Sequence, residues 1–121
     1  MISLDLPMPP SLNGAFPTVR RGASFQRVAS KKYLAWKQEA GWLVKTQLRG
    51  DRIAGPFDAS IAILKTDNRR SDIDNRVKPV LDLLVSLGVV DDDSLCRRVT
   101  AKWVREAQAP CRVTLTPAEA A

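Results

Sequence analysis

Residues 72–88 read DIDNRVKPVLDLLVSLG, and this stretch carries the clearest structural signal in the chain. Apolar residues recur within it at helical spacing, which predicts a helix with one buried face. The members of this apolar set are Val77, Val80, Leu81, Leu84 and Leu87. Asp72 or Asp74 can cap the start of the helix, and Gly88 is the residue type expected just past its end. The stretch therefore predicts an amphipathic helix that begins beside two carboxylates.

Alternating apolar and polar residues on either side of this helix predict a sheet. The first two strands are predicted at residues 2–6 and 57–63. Two later alternating runs, residues 99–103 and 111–115, are interpreted as antiparallel strands joined by a turn at residues 106–110. These runs predict four strands, the last two of them paired as a hairpin.

The segments between the strands complete the predicted order of elements. A second helix is predicted from the N-cap Ser30 to about residue 49, because its apolar residues follow helical spacing. Residues 14–29 are interpreted as a long basic loop, and residues 117–121 as a frayed tail. The whole chain is therefore predicted to form one α+β domain, a mixed β-sheet with helices packed on it.

Composition restricts the chemistry that this chain can perform. Its 121 residues suffice for one hydrophobic core, and 45% hydrophobic with 26% charged residues is typical of a globular protein. Lys and Arg total 19 against 13 for Asp and Glu, which gives a formal charge of +6, and histidine is absent. Catalysis by Ser–His or Cys–His pairs and metal binding by histidine are therefore excluded.

The cysteines and the start of the chain predict a cytoplasmic protein. Cys96 and Cys111 match no zinc-binding spacing and are interpreted as reduced strand residues. No apolar run approaches the ~20 residues that a membrane helix needs. The first residues, MISLD, lack the basic region of a signal peptide.

Aspartates are concentrated around the predicted helix. Ten of the thirteen acidic residues are Asp, and six of those lie between Asp72 and Asp93. In an extended lead into the helix, Asp72 and Asp74 would point to the same side. Two carboxylates about 4 Å apart repel by roughly 4 kcal/mol at an effective dielectric of 20, and Mg²⁺ would reverse that repulsion. The same pair equally suits a helix cap with a solvated neighbour, so both interpretations stay open.

Basic residues lie close to the acidic ones. Lys78 follows Asp74 by one helical turn and is either an ordinary ion pair or a cation that orients a scissile phosphate or an attacking water. Residues 91–93 are either a solubilising turn or a cluster that holds a counter-cation. Flanking arginines suit phosphate contacts around a metal site, the alternative being charged strand and turn faces. These arginines are Arg69, Arg70 and Arg76, which are interpreted as DNA-binding, together with Arg97 and Arg98.

Taken together, these residues resemble the RusA family of Holliday junction resolvases over nearly the whole chain. The matching segments are LPMPPSLN at residues 6–13, RRSDIDN at residues 69–75, then Lys78, Asp82, Gly88 and DDS at residues 92–94. The resemblance implies an intertwined homodimer that acts in DNA recombination and repair. It implies a Mg²⁺-dependent endodeoxyribonuclease, with Mn²⁺ able to substitute, that resolves four-way DNA junctions by paired symmetric nicks.

The resemblance also implies roles for individual residues. Asp72, Asp74 and Asp93 match the family's essential carboxylates, and Lys78 matches its functional lysine. Asp92 is an alternative to Asp93, because the turn holds one aspartate more than the family's pair. The carboxylates are expected to hold one or two Mg²⁺ ions that activate water for attack on phosphorus. Lys78 is expected to neutralise charge developing on the phosphoryl oxygens.

The distance along the predicted helix raises a question about Asp93. A helix over residues 74–87 carries the chain about 20 Å away from Asp74. The five steps from Gly88 to Asp93 return at most about 17–18 Å. This shortfall suggests the hypothesis that the partner subunit supplies Asp93.

Two other functions stay open on the sequence alone. The first is a module that binds nucleic acid without catalysis and uses its acidic residues only to cap a helix. The second is a nuclease for other branched DNA, such as forks and flaps, as a phage DNA-processing enzyme would be. The expected location is the cytoplasm of a bacterium, either as its own protein or as that of a phage.

Overall fold

The computed structural model of the chain describes residues 1–11, 18–21, 24–27, 30–67 and 72–119. Within these ranges the chain forms a four-stranded sheet, two helices and a two-stranded hairpin. In chain order the elements are β1 (Ile2–Leu6), β2 (Thr18–Arg21), β3 (Ser24–Arg27), α1 (Lys31–Leu48), β4 (Phe57–Leu64), α2 (Asp74–Ser86), a 3-10 turn (Asp93–Leu95), β5 (Cys96–Val104) and β6 (Cys111–Pro117).

The main sheet has the strand order β1-β6-β4-β5. Strand β6 pairs antiparallel with β1 and with β4, whereas β4 and β5 pair in parallel. The predicted hairpin of β5 and β6 is therefore wrong, because β4 lies between them. The parallel pair requires a crossover connection, and α2 provides it. The mixed sheet of an α+β domain is confirmed.

Both helices contribute to the core on the buried face of this sheet. The register aligns apolar residues across three strands, so that Leu4 and Ile61 both lie opposite Val113. The residues that the helices add to this core are Trp36, Ala40 and Val44 from α1 and Val80, Leu83 and Leu84 from α2. The core thus fixes the position of α2, and with it the position of the acidic residues at its start.

Helix α1 begins and ends as the sequence predicts. The Ser30 Oγ accepts a hydrogen bond from the Tyr33 backbone N–H at 3.0 Å, which confirms Ser30 as the N-cap. The helix ends where Arg49 adopts a left-handed φ of 54°. The indole N–H of Trp36 donates to the Pro7 carbonyl at 3.1 Å and ties α1 to the segment after β1.

Helix α2 occupies the predicted stretch, but its start differs from the prediction. Its N-cap position is Ile73, which has helical φ and ψ of −66° and −32° and makes no side-chain cap hydrogen bond. Neither Asp72 nor Asp74 caps the helix. Because Ile73 is helical, the extended lead that would aim both carboxylates to one side is not formed at this residue.

Two predicted irregular segments contain regular structure. Residues 14–29 include the antiparallel pair β2 and β3, while the rest of that predicted loop lies outside the described residues. Strand β6 includes Pro117, and the Ala118 N–H donates to the Pro56 carbonyl at 2.9 Å, so the tail is attached up to this point. Residues 120–121 also lie outside the described residues.

Both cysteines are unpaired, as predicted. Cys111 is buried in β6, and this burial raises the pKa of its thiol to about 12. The thiol is therefore protonated at neutral pH and behaves as a small apolar core residue. Neither helix in the described part of the chain combines the length and the hydrophobicity that a membrane-spanning segment requires.

Candidate active site

The acidic turn at residues 91–93 returns to the side of α2. Gly88 follows the helix with a left-handed φ of 73°, which reverses the chain direction. Val89 and Val90 are then buried, and the Ile53 N–H donates to the Val89 carbonyl at 2.8 Å. This anchored pair of valines carries the following aspartates back along α2 and leaves them at the surface.

Lys78 joins this turn to α2. Its Nζ lies 2.6 Å from the Asp93 Oδ2 and 2.9 Å from the Asp82 Oδ1. The hydrogen bond that Lys78 donates to Asp93, and after it the one that Lys78 donates to Asp82, hold the pKa of Lys78 well above its ordinary value. Lys78 therefore stays charged at neutral pH, and its partners are Asp82 and Asp93 rather than Asp74.

Asp82 was not predicted as part of this group, although its position holds a signal. It follows Lys78 by four residues, which is the same spacing that separates Asp74 from Lys78. The buried Tyr33 of α1 lies near this pair. Burial and then the negative charge of Asp82 raise the pKa of Tyr33, while Lys78 lowers it. The site therefore borders the start of α1 as well as α2.

Asp92 and Asp93 have different surroundings. Asp92 Oδ2 accepts hydrogen bonds from the Ser94 backbone N–H at 3.2 Å and from the Ser94 hydroxyl, and it caps the 3-10 turn. These bonds from Ser94 hold the pKa of Asp92 below its ordinary value. Asp93 instead faces Lys78. The geometry thus links Asp93, and not Asp92, directly to the predicted functional lysine.

Asp91 is held apart from this group. Its Oδ1 accepts a hydrogen bond from Arg52, with which it also forms an ion pair. Its Oδ2 accepts a longer hydrogen bond from the Gly55 N–H at 3.4 Å. The sequence suggested that three adjacent acidic residues need a counter-cation. Basic side chains of the protein provide this counter-cation, because Arg52 forms an ion pair with Asp91 and Lys78 forms one with Asp93.

Asp72 and Asp74 lie at the start of α2 with exposed side chains. Their chemistry fits Mg²⁺, which accepts one or two protein carboxylates and takes its other ligands from water and phosphate. Among the described residues, no three Asp, Glu, Cys or His side chains form a group that could hold a metal. The predicted convergence of Asp72, Asp74 and Asp93 is therefore not formed in this structure.

Asp93 reaches α2 of its own chain at Lys78. Lys78 lies eight residues before Ser86, which corresponds to about 12 Å along the helix axis, and Asp93 of the same chain contacts it. A partner subunit is therefore not needed to bring Asp93 to Lys78, whereas the predicted shortfall concerned the start of the helix, which this contact does not test. Sharing of Asp93 between subunits stays a prediction.

The predicted DNA-binding arginines divide into two groups. Arg76 is half-buried, and its Nη1 donates to the Pro9 carbonyl at 2.6 Å. It therefore connects the first turn of α2 to the segment after β1, and its contact with DNA stays a prediction. Arg69 and Arg70 lie outside the described residues.

Comparison with known proteins adds an independent observation. A family model described as "Endodeoxyribonuclease RusA" matches residues 7–116. A curated relative, the crossover junction endodeoxyribonuclease RusA of Aquifex aeolicus (strain VF5), is 28% identical over 83 residues. The aligned stretch covers 68% of this chain and 66% of that relative. The chain thus spans slightly less than two thirds of the length of the curated relative it matches.

Proposed function

Because this chain belongs to the RusA family of endodeoxyribonucleases, as its sequence predicted, we propose that it cleaves branched DNA and that the four-way junction is its substrate. The curated relative is named for cleavage of crossover junctions. The observation that carries the proposal is the contact of Asp93 with Lys78. It brings two predicted catalytic residues together beside α2, the helix that begins with Asp74.

The metal site of this proposal lies at the start of α2. Asp72 and Asp74 offer exposed carboxylate oxygens there, and Mg²⁺ or Mn²⁺ would take them as ligands. When bound, such a metal supplies an activated water and stabilises the departing oxygen of the phosphodiester. Asp93 is proposed as a third ligand, and Asp92 is less suited because Ser94 already engages it.

Lys78 has the charge and the position to act on the phosphate. Its ammonium group lies one helical turn beyond Asp74 and stays protonated, since two carboxylates contact it. When Asp93 turns to another partner, Asp82 still holds Lys78 in place. Lys78 can then neutralise negative charge that develops on the phosphoryl oxygens.

The assembly of the proposal is a homodimer. Paired symmetric nicks require two active sites related by a two-fold axis, and a symmetric dimer provides them. Each chain holds its own Lys78 and Asp93, so each subunit of such a dimer would carry this part of a site. The formal charge of +6 favours association with the phosphate backbone. The proposed location is the bacterial cytoplasm.

Cleavage of synthetic DNA tests the proposal directly. A four-way junction, a three-way junction and a linear duplex are incubated with the protein in Mg²⁺, in Mn²⁺ and in EDTA. We expect paired nicks in the four-way junction in either metal, and intact DNA in EDTA. Equal cutting of the three-way junction would favour a nuclease for other branched DNA. Binding without nicking in any metal would favour a module that only binds nucleic acid.

A further inference from the structure

A groove separate from the residues discussed above lies where β4 and β5 end. Its volume is about 380 Å³, and its lining residues are Lys65, Thr66, Asp67, Trp103 and Arg105. Because β4 and β5 run in parallel, both segments leave the sheet at this same edge. Asp72, the first proposed metal ligand, follows Asp67 by five residues in the sequence.

A smaller cavity connects this groove to α2. It has a volume of about 90 Å³, shares Lys65 and Trp103 with the groove, and adds Arg76 to the wall. Arg76 lies in the first turn of α2, two residues after Asp74. Its Nε is buried and has no hydrogen-bond partner within the described residues. The lined surface thus extends from Trp103 to the start of the proposed active site.

The lining combines an aromatic ring with two cations. The Lys65 Nζ lies 4.9 Å from the centroid of the half-buried Trp103 ring, a cation–π contact that holds the ammonium group at the wall. Arg105 is exposed directly after β5. These two cations outnumber the one carboxylate in the lining, Asp67. The groove is therefore suited to an anion that also carries a flat or apolar part.

A nucleotide of a DNA strand has this combination. Its phosphate attracts Lys and Arg, and its base stacks on aromatic side chains without regard to base identity. The groove volume of about 380 Å³ falls near the lower end of the ~300–1,000 Å³ of small-molecule sites. That size suits a single nucleotide rather than a duplex.

We propose that this groove binds one deoxynucleotide that has left the duplex stack, next to the phosphate on which Asp72 and Asp74 act. The phosphate of this nucleotide lies between Lys65 and Arg105, and its base or sugar packs on the accessible part of Trp103. The inference rests on the proposed function, because DNA is the ligand. It assigns the groove the task of guiding the strand into the active site.

Equilibrium binding to a four-way junction in EDTA tests the aromatic contact without cleavage. We expect Trp103→Leu to weaken binding by about 5- to 150-fold, the range for loss of one base–aromatic stack. Trp103→Phe keeps a ring and should stay within about threefold of the wild type. The matched control is Trp42→Leu, because Trp42 is 71% exposed on α1 and lies outside the groove. Equal binding by Trp103→Leu and the wild type would overturn the proposed packing of a nucleotide on Trp103.

The salt dependence of the same binding tests the two cations. The double variant Lys65→Gln/Arg105→Gln should reduce the slope of log K against log salt by about 0.7–0.9, as expected for one lost phosphate contact. Lys45→Gln, an exposed lysine in the last turn of α1, is the control and should leave the slope unchanged. A purely structural role of Lys65 against Trp103 would not alter the slope. An unchanged slope in the double variant would therefore overturn the phosphate contact.

Two further measurements separate the ways in which the inference can fail. Melting temperatures identify a Trp103 variant that is merely unfolded, since this ring packs against the core. Cleavage of the same junction by the wild type in Mg²⁺ tests the proposed function by itself. If the wild type neither binds nor cuts branched DNA, the proposed function is wrong and the groove assignment falls with it. If the wild type does both and the groove variants match it, only the groove assignment is wrong.

Discussion

The two acidic segments of this protein differ in how their charges are balanced. At residues 91–93, each aspartate has a partner, which is Arg52, Ser94 or Lys78 in turn. At the start of α2, Asp72 and Asp74 are exposed, and no ion pair joins either of them to another described residue. A carboxylate that pairs with a protein cation must give up that ion pair to bind a metal, whereas a hydrated carboxylate gives up only water. We therefore expect the start of α2 to take up a metal more readily than the turn, and the turn to act as structural support.

Lys78 is the point at which the two segments meet. It contacts Asp93 at 2.6 Å and follows Asp74 by one helical turn. A metal that took Asp93 as a ligand would have to compete with this ammonium group. We therefore expect a graded response, in which substitutions at the start of α2 act most strongly on cleavage and those at Asp91 act least.

The largest effect is expected at the exposed pair. Asp72→Asn or Asp74→Asn removes a proposed metal ligand with little change in size, and we expect cleavage of a four-way junction to fall by about 100-fold or more. Junction binding in EDTA should stay equal to that of the wild type or improve, because one negative charge near the DNA is lost. Single-turnover cleavage and gel-shift titration measure the two quantities.

The matched control for this prediction is Asp91→Asn in the acidic turn. It makes the same chemical change in a carboxylate that Arg52 already neutralises. We expect its cleavage rate to stay within about twofold of the wild type, as for a surface substitution away from the reacting groups. If Asp72→Asn cleaves at the wild-type rate while Asp91→Asn does not, the assignment of the metal site to α2 is reversed.

The second largest effect is expected at Lys78. Lys78→Met leaves Asp82 and Asp93 without their shared cation, and we expect cleavage to slow by about 10- to 100-fold. Metal binding should become tighter at the same time, because the Lys78 ammonium group no longer competes for Asp93. Calorimetric titration with Mn²⁺ and single-turnover cleavage test the two effects together. Weaker metal binding in Lys78→Met would contradict the proposed competition at Asp93.

The helices were predictable from the sequence because helix caps and helical spacing depend on residues that are close together in the chain. Helix α1 starts at the side-chain cap of Ser30, and α2 presents Val80 and Leu84 to the core at helical spacing. The pairing of β5 was not predictable in this way. Its alternation fits any neighbouring strand, and the neighbour is set by the crossover through α2 rather than by the short connection to β6.

The candidate site shows the same limit. Sequence spacing suggested Asp72, Asp74 and Lys78 as candidates and the family resemblance added Asp93, but the spacing paired Lys78 with Asp74 on the helix surface. The observed partner Asp93 arrives through a long-range contact, because Val89 is buried and bonded to the Ile53 backbone. A contact between residues so far apart in the chain leaves no periodic signal. The predicted shortfall was measured to the start of the helix, whereas Asp93 contacts Lys78 one turn further along.

A moderate effect is expected from the second partner of Lys78. Asp82→Asn removes the 2.9 Å ion pair and leaves Lys78 with Asp93 alone. We infer that Lys78 then follows Asp93 more closely, so cleavage should slow by about 3- to 10-fold, which lies within the range for loss of a typical hydrogen bond because both side chains are largely exposed. Asp82→Glu, which keeps the charge, should recover most of the rate. Equal rates for Asp82→Asn and the wild type would show that Asp82 does not position Lys78.

The smallest effect is expected where the acidic turn is tied to the rest of the domain. Arg52→Gln leaves Asp91 without its cation, but both side chains are about half exposed, so water and salt already screen the pair. We expect the melting temperature to fall by at most about 4 °C at low salt and the difference to shrink in 0.5 M salt. Junction cleavage should be unchanged, because the buried Val89 and Val90 still hold the acidic turn in place. A large loss of cleavage in Arg52→Gln would mean that the ion pair, rather than the buried valines, positions Asp93 beside Lys78.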